Sequence, residues 1–254
     1  MMDAILRSQF PPTFRLIHLF EGGSAQHGAR ISDKNDLDIF GVFFEDVEKA
    51  LGLDCYEHFV TSTSDNSRRN NADDVDITLY SLRRWAQLAA KGNPTALNFL
   101  FAKNDFYLNN NPWNRYVDRL REALVAKSAA GHYRGFVDGQ MKRLMGEGQG
   151  KHGQRPELEA EFGYDTKAGM HAVRLMGEGI ELMQTGKVTF PRPNTRELIS
   201  IRKGEMPLGY LQEKVRYLMQ DLEQAYEAST LPAKPDRQRV SDLISQMYLQ
   251  QYSQ

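Results

Sequence analysis

One stretch decides the fold of this chain: Leu16-Ile17-His18-Leu19-Phe20, then Gly22-Gly23-Ser24 and, twelve residues after Ser24, Asp36-Leu37-Asp38-Ile39-Phe40-Gly41-Val42-Phe43-Phe44. The two apolar runs predict buried strands, and the glycine-serine turn closes the first of them. Asp36 and Asp38 are two residues apart, so on a strand both carboxylates point to the same face. The stretch therefore predicts a carboxylate pair that faces a turn rich in backbone N–H groups.

Two further strands are predicted over residues 57–63 and 74–80, with a polar loop between them. In the second of these strands Val75, Ile77 and Leu79 alternate with polar residues that include Asp76. If the strands that carry Asp38 and Asp76 lie near each other, Asp76 completes a cluster of three carboxylates.

Clustered carboxylates repel one another, and each resists ionisation unless a cation is present. Magnesium removes that penalty, because it prefers oxygen ligands and commonly shares them with phosphate oxygens. Two such ions, or manganese in their place, would stabilise the attacking and leaving oxygens of a phosphoryl or nucleotidyl transfer. The alternative interpretation is that Asp36 and Asp38 only form the exposed face of a half-buried strand.

The chain becomes helical after residue 81. Ser81 and Asn93 are the predicted N-caps of the first two helices, and Pro94 occupies the first position of the second. Further helices are predicted near residues 113–128, 131–146, 165–185, 195–203, 207–228 and 238–250. A soft domain boundary is predicted near residue 110.

Composition excludes several classes of protein. Hydrophobic residues form 41% and charged residues 26% of the 254 residues, which is typical of a folded globular protein. Because the net charge is −1, contacts with nucleic acid would depend on local basic clusters. Cys55 is the single cysteine, so an internal disulfide is excluded. No signal peptide or membrane-length apolar run is visible, and we expect a cytoplasmic protein.

These motifs resemble the nucleotidyltransferases of the DNA polymerase β superfamily, which carry Gly-Ser, then Asp-x-Asp, then a third carboxylate on a later strand. More narrowly, the chain is similar to the RNA-ligase-associated, polymerase-β-like branch. The similarity covers most of the chain and rests on these segments: Gly23-Ser24-Ala25-Gln26-His27-Gly28, Asp36-Leu37-Asp38-Ile39-Phe40-Gly41-Val42, Gly92-Asn93-Pro94-Thr95, Lys167-x-x-x-His171-x-x-Arg174-Leu175 and Ile201-Arg202-Lys203-Gly204-Glu205.

The resemblance implies an α/β (α+β) nucleotidyltransferase core with a mixed β-sheet over residues 1–110, followed by an all-helical domain over residues 111–254. Asp36 and Asp38 would bind two magnesium ions. Asp76 would bind one of them and help to deprotonate the acceptor hydroxyl. Gly23 and Ser24 would hold the β- and γ-phosphates, with Gly28 helping the backbone to approach them.

Lys167, His171 and Arg174 share one face of a predicted helix. Lys167 and Arg174 would reach the phosphates of the nucleotide, whereas His171 is expected to form structural hydrogen bonds. The alternative is an ordinary solvated polar face.

Two departures from the branch are visible. The segment that leads to Asp36 is one residue longer than expected, which makes Asp33 a rival ligand, and Phe40 stands where arginine is common. A second basic cluster contains Lys142, Arg143, Lys151, His152 and Arg155, with Tyr133 and Phe136 as candidates for stacking on bases. A solvated face is the alternative there too.

Three functions fit these residues. The first is transfer of a nucleoside monophosphate from a nucleoside triphosphate such as ATP to a hydroxyl, with an RNA 3′ end in repair as the candidate acceptor. The second is nucleotidylation of a protein or a small molecule, as in toxin or resistance relatives. The third is a module that binds nucleotides or partners without turnover.

Overall fold

The fold is known from a computed structural model that describes residues 10–11, 13–31, 37–63, 74–103, 106, 112–145 and 155–253. The four predicted strands are confirmed within these residues. Their bounds are β1 Arg15–Glu21, β2 Leu37–Phe44, β3 His58–Ser62 and β4 Val75–Ser81.

The strands form one mixed sheet in the order β1-β2-β4-β3. β2 runs antiparallel to β1 and parallel to β4, and β3 pairs antiparallel with β4 at the edge. The parallel register places Asp38 opposite Asp76 and Ile39 opposite Ile77. This confirms the predicted mixed sheet and the predicted neighbourhood of the two strands.

The two faces of the sheet pack against different groups of residues. Ile39 and Ile77 are fully buried on one face, in a small cluster with Leu19 and Phe43. Val42 points to the other face and joins the large core that the helices form. Since successive residues of a strand alternate between faces, Asp38 and Asp76 share the face that looks toward the helices.

Eleven helices lie within the described residues. They are α1 Gly23–His27, α2 Val47–Leu51, α3 Leu82–Ala90, α4 Pro94–Asn98, α5 Trp113–Leu124, α6 Ala129–Leu144, α7 Pro156–Phe162, α8 Thr166–Thr185, α9 Thr195–Arg202, α10 Leu208–Ala228 and α11 Arg237–Tyr252. The helices predicted after residue 81 are all present, with ends that differ by a few residues. The short helices α2 and α7 were not predicted, because five and seven residues give too little apolar periodicity to distinguish a helix from a loop. None of the described helices is both long and apolar enough to cross a membrane.

The predicted caps are present. Ser81 Oγ accepts a hydrogen bond of 3.2 Å from the backbone N–H of Arg84, at the start of α3. Asn93 Oδ1 accepts one of 3.0 Å from Ala96, and Pro94 is the first residue of α4. Side-chain oxygens thus satisfy helix N–H groups that would otherwise lack partners.

One large core joins the residues before and after position 110. Phe20 and Val42 of the sheet belong to the same buried cluster as Leu175 and Met176 of α8. α8 is the central helix of this part and packs against α6, α9 and α10. The division into residues 1–110 and 111–254 stays a prediction.

The last helix returns to the sheet. The hydroxyl of Tyr248 on α11 donates a hydrogen bond of 2.5 Å to Oε2 of Glu45, which follows β2 and is 2% exposed. The hydroxyl of Tyr252 donates one of 2.5 Å to the Glu45 carbonyl oxygen. Burial and the Glu45 carboxylate raise the pKa of both phenols, that of Tyr252 to about 12. α11 is therefore attached to the end of β2, one of the two inner strands.

We expect Tyr248→Phe to lower the free energy of unfolding by about 2 kcal/mol, because a buried carboxylate loses a hydrogen-bond donor. Urea denaturation measures the difference. Tyr210→Phe is the matched control, since Tyr210 lies on α10 and is 49% exposed. An equal loss in both variants would contradict a specific role for the contact between Tyr248 and Glu45.

Candidate active site

A cleft of about 420 Å³ lies between the helix-facing side of the sheet and the wall formed by α8 and α9. Five of the predicted site residues line it: Gly23, Ser24, Asp38, Lys167 and Arg174. The structure thus brings together positions that are up to about 150 residues apart in the chain. Their binding roles stay predictions.

Asp38 and Asp76 form a carboxylate pair at the start of β2 and β4. They lie opposite each other in the parallel register, and both are partly buried. Neighbouring strands are about 4.8 Å apart, so the two side chains rise side by side from one face. Asp36 and its rival Asp33 lie outside the described residues. Within the part that is described, no three acidic, histidine or cysteine side chains converge as a metal site, so this pair is the described portion of the predicted triad.

Gly23 lies directly against Asp38. A Cβ atom at Gly23 would be 1.8 Å from Oδ2 of Asp38, and the residue has φ = +55°. The N–H of Gly22 donates a hydrogen bond of 2.8 Å to the backbone carbonyl of Asp38. Glycine is required at position 23 for two reasons, its left-handed backbone and the carboxylate that fills the space of a side chain.

Gly28 has a different role from the predicted one. It ends α1 in the left-handed conformation, with φ = +72°. A Cβ atom there would be 2.9 Å from Pro191 and 3.0 Å from the hydroxyl of Thr195. Gly28 therefore allows α1 to end against the segment before α9, where it packs on protein rather than facing open space.

Lys167, His171 and Arg174 all line the cleft from α8. The other side of the helix is apolar, with Val173 and Met176 buried. Asp165 caps the helix, since its Oδ1 accepts a hydrogen bond of 2.9 Å from Ala168. The basic face thus looks into the cleft rather than into open solvent.

Glu178 is a buried carboxylate that contacts residues lining the cleft, and its side chain has no exposed surface. Arg174 Nη1 donates a hydrogen bond of 2.7 Å to its Oε1, and Asn98 Nδ2 donates one of 3.4 Å to its Oε2. Nδ1 of His27 lies 3.3 Å from Oε1. Glu178 was missed from the sequence. The available signal was its spacing of four residues after Arg174, which places it on the same face of α8.

His27 and His171 are neutral at physiological pH. Burial lowers the pKa of His27 well below its usual value, and the charge of Arg174 adds to this. Burial, Arg174 and Lys167, in that order, lower the pKa of His171 in the same direction. Nδ1 of His171 has no hydrogen-bond partner among the described residues, and the structural hydrogen bonding expected of this ring stays a prediction.

Arg202, at the end of α9, is a lining residue that was not predicted as part of the site. Its Nη1 donates a weak hydrogen bond of 3.4 Å to Oγ1 of Thr166, the first residue of α8. The segment that contains Arg202 carried the resemblance to the branch, but its position opposite the sheet depends on the packing of α9 on α8.

Phe40 forms an aromatic wall where the branch commonly has arginine. Its ring lies over the backbone of Gly22, where a Cβ atom would be only 2.2 Å from Cδ2 of the ring. The ring centroids of Phe20 and Phe99 are 6.0 and 6.1 Å away. Phe40 therefore supports the turn and gives the cleft an apolar side.

The second basic cluster is only partly described. Lys151 and His152 lie outside the described residues, and Lys142 and Arg143 occupy the last turn of α6. Tyr133 cannot stack on a base, because its side chain is fully buried against Gly179. Phe136 is 39% exposed. The prediction for Tyr133 was wrong because the apolar packing of α6 on α8 uses that position.

The profile of a family described as the RNA repair pathway DNA polymerase beta family matches residues 2–246. The chain belongs to this family. The match confirms the resemblance seen in the sequence and supports nucleotidyl transfer as the reaction class and a transferase as the type of enzyme.

An uncharacterized 38.9 kDa protein encoded in the nrdC-mobD intergenic region of Enterobacteria phage T4 is 33% identical over 78 residues, or 31% of this chain and 23% of the phage protein. The chain thus matches less than a quarter of that protein's length. The crystal structure of a nucleotidyltransferase-like protein from Exiguobacterium sibiricum 255-15 aligns with 98% of this chain and 73% of its own, at 16% identity and a TM-score of 0.31.

We expect Gly23→Ala to destabilise the protein by about 1–2 kcal/mol from the left-handed backbone alone, and by more where Asp38 is displaced. Gly135→Ala is the control, because Gly135 lies within α6 with nothing within 4 Å of its added Cβ. That change should stabilise the helix by about 0.5–1 kcal/mol. Thermal unfolding compares them, and shifts of the same sign would contradict the proposed contact.

The lowered histidine pKa values predict a stability that declines in acid. The unfolded chain takes up these protons near pH 6.5, whereas the folded chain takes them up only at lower pH. The contribution of these two histidines to the free energy of unfolding is therefore complete above pH 6.5. Below that pH it falls by up to about 1.4 kcal/mol per pH unit for each histidine.

Urea denaturation at pH 7.5 and pH 5.5 measures this loss. His171→Gln should reduce it, whereas His132→Gln, an exposed position on α6, should leave it unchanged. An undiminished loss in the His171 variant would show that this ring does not contribute.

Proposed function

We propose that the protein transfers a nucleoside monophosphate from a nucleoside triphosphate to an acceptor hydroxyl and releases pyrophosphate. Membership of the polymerase β-type family supports the reaction class. The single observation that carries the proposal is the contact between the turn and the strand. Gly23 leaves the space that Oδ2 of Asp38 occupies, and Asp38 lies opposite Asp76 at the edge of a cleft with a basic far wall.

Magnesium fits the donors that are present. Asp38 and Asp76 offer adjacent carboxylate oxygens, which are hard ligands of the kind that magnesium prefers. Asp36 is the third predicted ligand. When bound, the ions would neutralise charge on the phosphates and on the attacking and leaving oxygens.

The residues around this pair would bind the triphosphate. Gly23 and Ser24 lie beside Asp38 and would hold the β- and γ-phosphates with backbone N–H groups and the serine hydroxyl. Lys167 lines the opposite wall and would add a point charge. The ligand would therefore lie between the sheet and α8.

The chemistry needs one proton acceptor. The acceptor oxygen would form a bond to the α-phosphorus as the bond from that phosphorus to the oxygen bridging to the β-phosphate breaks. The proton of the attacking hydroxyl would pass to Asp76, and the electron pair of the broken bond would leave on pyrophosphate. Asp76 is suited to this role because it lies on the same face of the sheet as Asp38.

An RNA 3′ end is the proposed acceptor. The words "RNA repair pathway" in the description of the family support it, and the chemistry requires only a free hydroxyl next to the carboxylates. Basic residues of the second cluster, such as Arg155, would suit a polyanionic acceptor.

The decisive experiment supplies each α-³²P-labelled nucleoside triphosphate with magnesium and total RNA. Label entering RNA supports the proposal. Label entering protein or a small molecule would favour nucleotidylation of such targets, and binding without transfer would indicate a module without turnover.

We expect Asp38→Asn to reduce transfer at least about 100-fold, since the variant removes a metal-binding charge at the reacting centre. Asp221→Asn, an exposed position on α10, is the control and should transfer as the parent does. Undiminished transfer by the Asp38 variant would rule out the proposed metal site.

A further inference from the structure

We propose that Arg202, and not Arg174, is the guanidinium that contacts the phosphates of the bound triphosphate. This inference rests on the proposed function, because it assumes that a nucleoside triphosphate occupies the cleft. It replaces Arg174 by Arg202 as the predicted phosphate ligand, and it makes a residue of α9 part of the site.

Arg174 already has a matched counter-charge. Its guanidinium donates to Glu178 at 2.7 Å, and the two side chains are 11% and 0% exposed. A buried carboxylate without its partner would be strongly unfavourable, so Arg174 cannot leave Glu178 without a large penalty. Because His27 is neutral, Arg174 is the cation that neutralises Glu178.

Glu178 also connects three elements of the cleft. Asn98 of α4 donates to it, and His27 of α1 lies 3.3 Å from it. The pair formed by Arg174 and Glu178 therefore holds α8 against α1, the helix that begins with Gly23 and Ser24. This is a positioning role, and it uses Arg174 within the protein.

Arg202, unlike Arg174, has no carboxylate partner of its own within the described residues. It lines the cleft, but within the described residues it forms no ion pair, and it donates a hydrogen bond of 3.4 Å to Thr166. The Asp165 carboxylate interacts electrostatically with Arg202, but its Oδ2 accepts from Arg155 at 2.6 Å and its Oδ1 caps α8. Two guanidinium groups thus share one carboxylate that is already bonded at both oxygens.

The excess positive charge is partly buried. Burial and the neighbouring Arg155 guanidinium lower the pKa of Arg202, and the Asp165 carboxylate opposes this only in part. A bound anion would relieve this repulsion, and a planar guanidinium can hold two phosphate oxygens at once. Lys167, one residue beyond Thr166, lines the same end of the cleft. Together they point to an anion-binding end at the start of α8.

Isothermal titration at pH 7.5 tests the assignment, with Mg·ATP and Mg·tripolyphosphate as probes and no acceptor present. We expect Arg202→Gln to weaken binding at least about tenfold for both probes, because both carry the phosphate chain. The midpoint of thermal unfolding should stay near that of the parent, since Arg202 forms one weak hydrogen bond. Arg202→Lys keeps the positive charge and should lose less affinity for both probes.

The matched variant is the double change Arg174→Met with Glu178→Gln, which removes both charges of the buried pair together. It should bind both probes within about threefold of the parent, whereas Arg174→Met alone should mainly lower the unfolding midpoint. Arg216→Gln, an exposed position on α10 with 56% of its side chain accessible, controls for the loss of a positive charge.

The outcomes separate the two proposals. If the parent binds the probes and Arg202→Gln binds them equally well, this inference is wrong while the proposed function stands. If the double variant loses as much affinity as Arg202→Gln, Arg174 is a phosphate ligand after all. If the parent binds neither probe, the proposed function fails and this inference fails with it.

Discussion

The parallel pairing of β2 with β4 is the constraint on which the rest of the structure depends. Parallel neighbours cannot be joined by a tight turn, so the chain makes a crossover that includes α2 and the edge strand β3. The pairing fixes Asp38 beside Asp76 and directs both toward the helices. A slip of one residue would turn the carboxylates to the apolar face that Ile39 and Ile77 occupy, so the apolar pattern that builds the core also fixes the position of the acids.

The cleft separates charges of opposite sign on two walls. The acids lie on the sheet and the cations on α8 and α9, and the neutral histidines between them add no charge. Glu178 neutralises Arg174 inside the protein. The rest of the basic wall therefore carries an excess of positive charge. A ligand that carries metal ions at one end and phosphate oxygens along its length would match both walls at once. This separation of charge is the pattern expected for the proposed ligand, a complex of metal and polyphosphate.

Local features of the fold were accessible from the sequence. The strands follow from apolar alternation, and Ser81, Asn93 and Pro94 mark helix starts through chemistry that acts within a few residues. The set of candidate site residues was found because the glycine-serine turn and the acids form a recognisable pattern. Asp36 lies outside the described residues, so the structure adds nothing to that part of the prediction.

Some features could not be predicted from the sequence, because they arise only where elements that are distant in the chain come into contact. Glu178 gains its partners from α1 and α4, Arg202 reaches the cleft because α9 packs on α8, and Tyr133 is buried by the approach of Gly179. Each depends on tertiary distances that no local spacing encodes. Gly28 is a similar case, because its neighbour Pro191 is more than 160 residues away in the chain.

The attachment of α11 to Glu45 has a consequence for how the protein is made. Tyr248 and Glu45 are separated by 203 residues, so the loop that their contact closes includes most of the chain. Contacts of such high sequence separation form late, because the entropy of closing the loop must be overcome first. During synthesis the contacts at the end of β2 would therefore form only after α11 has left the ribosome. The contacts of Glu45 are thus completed only after α11 has been made.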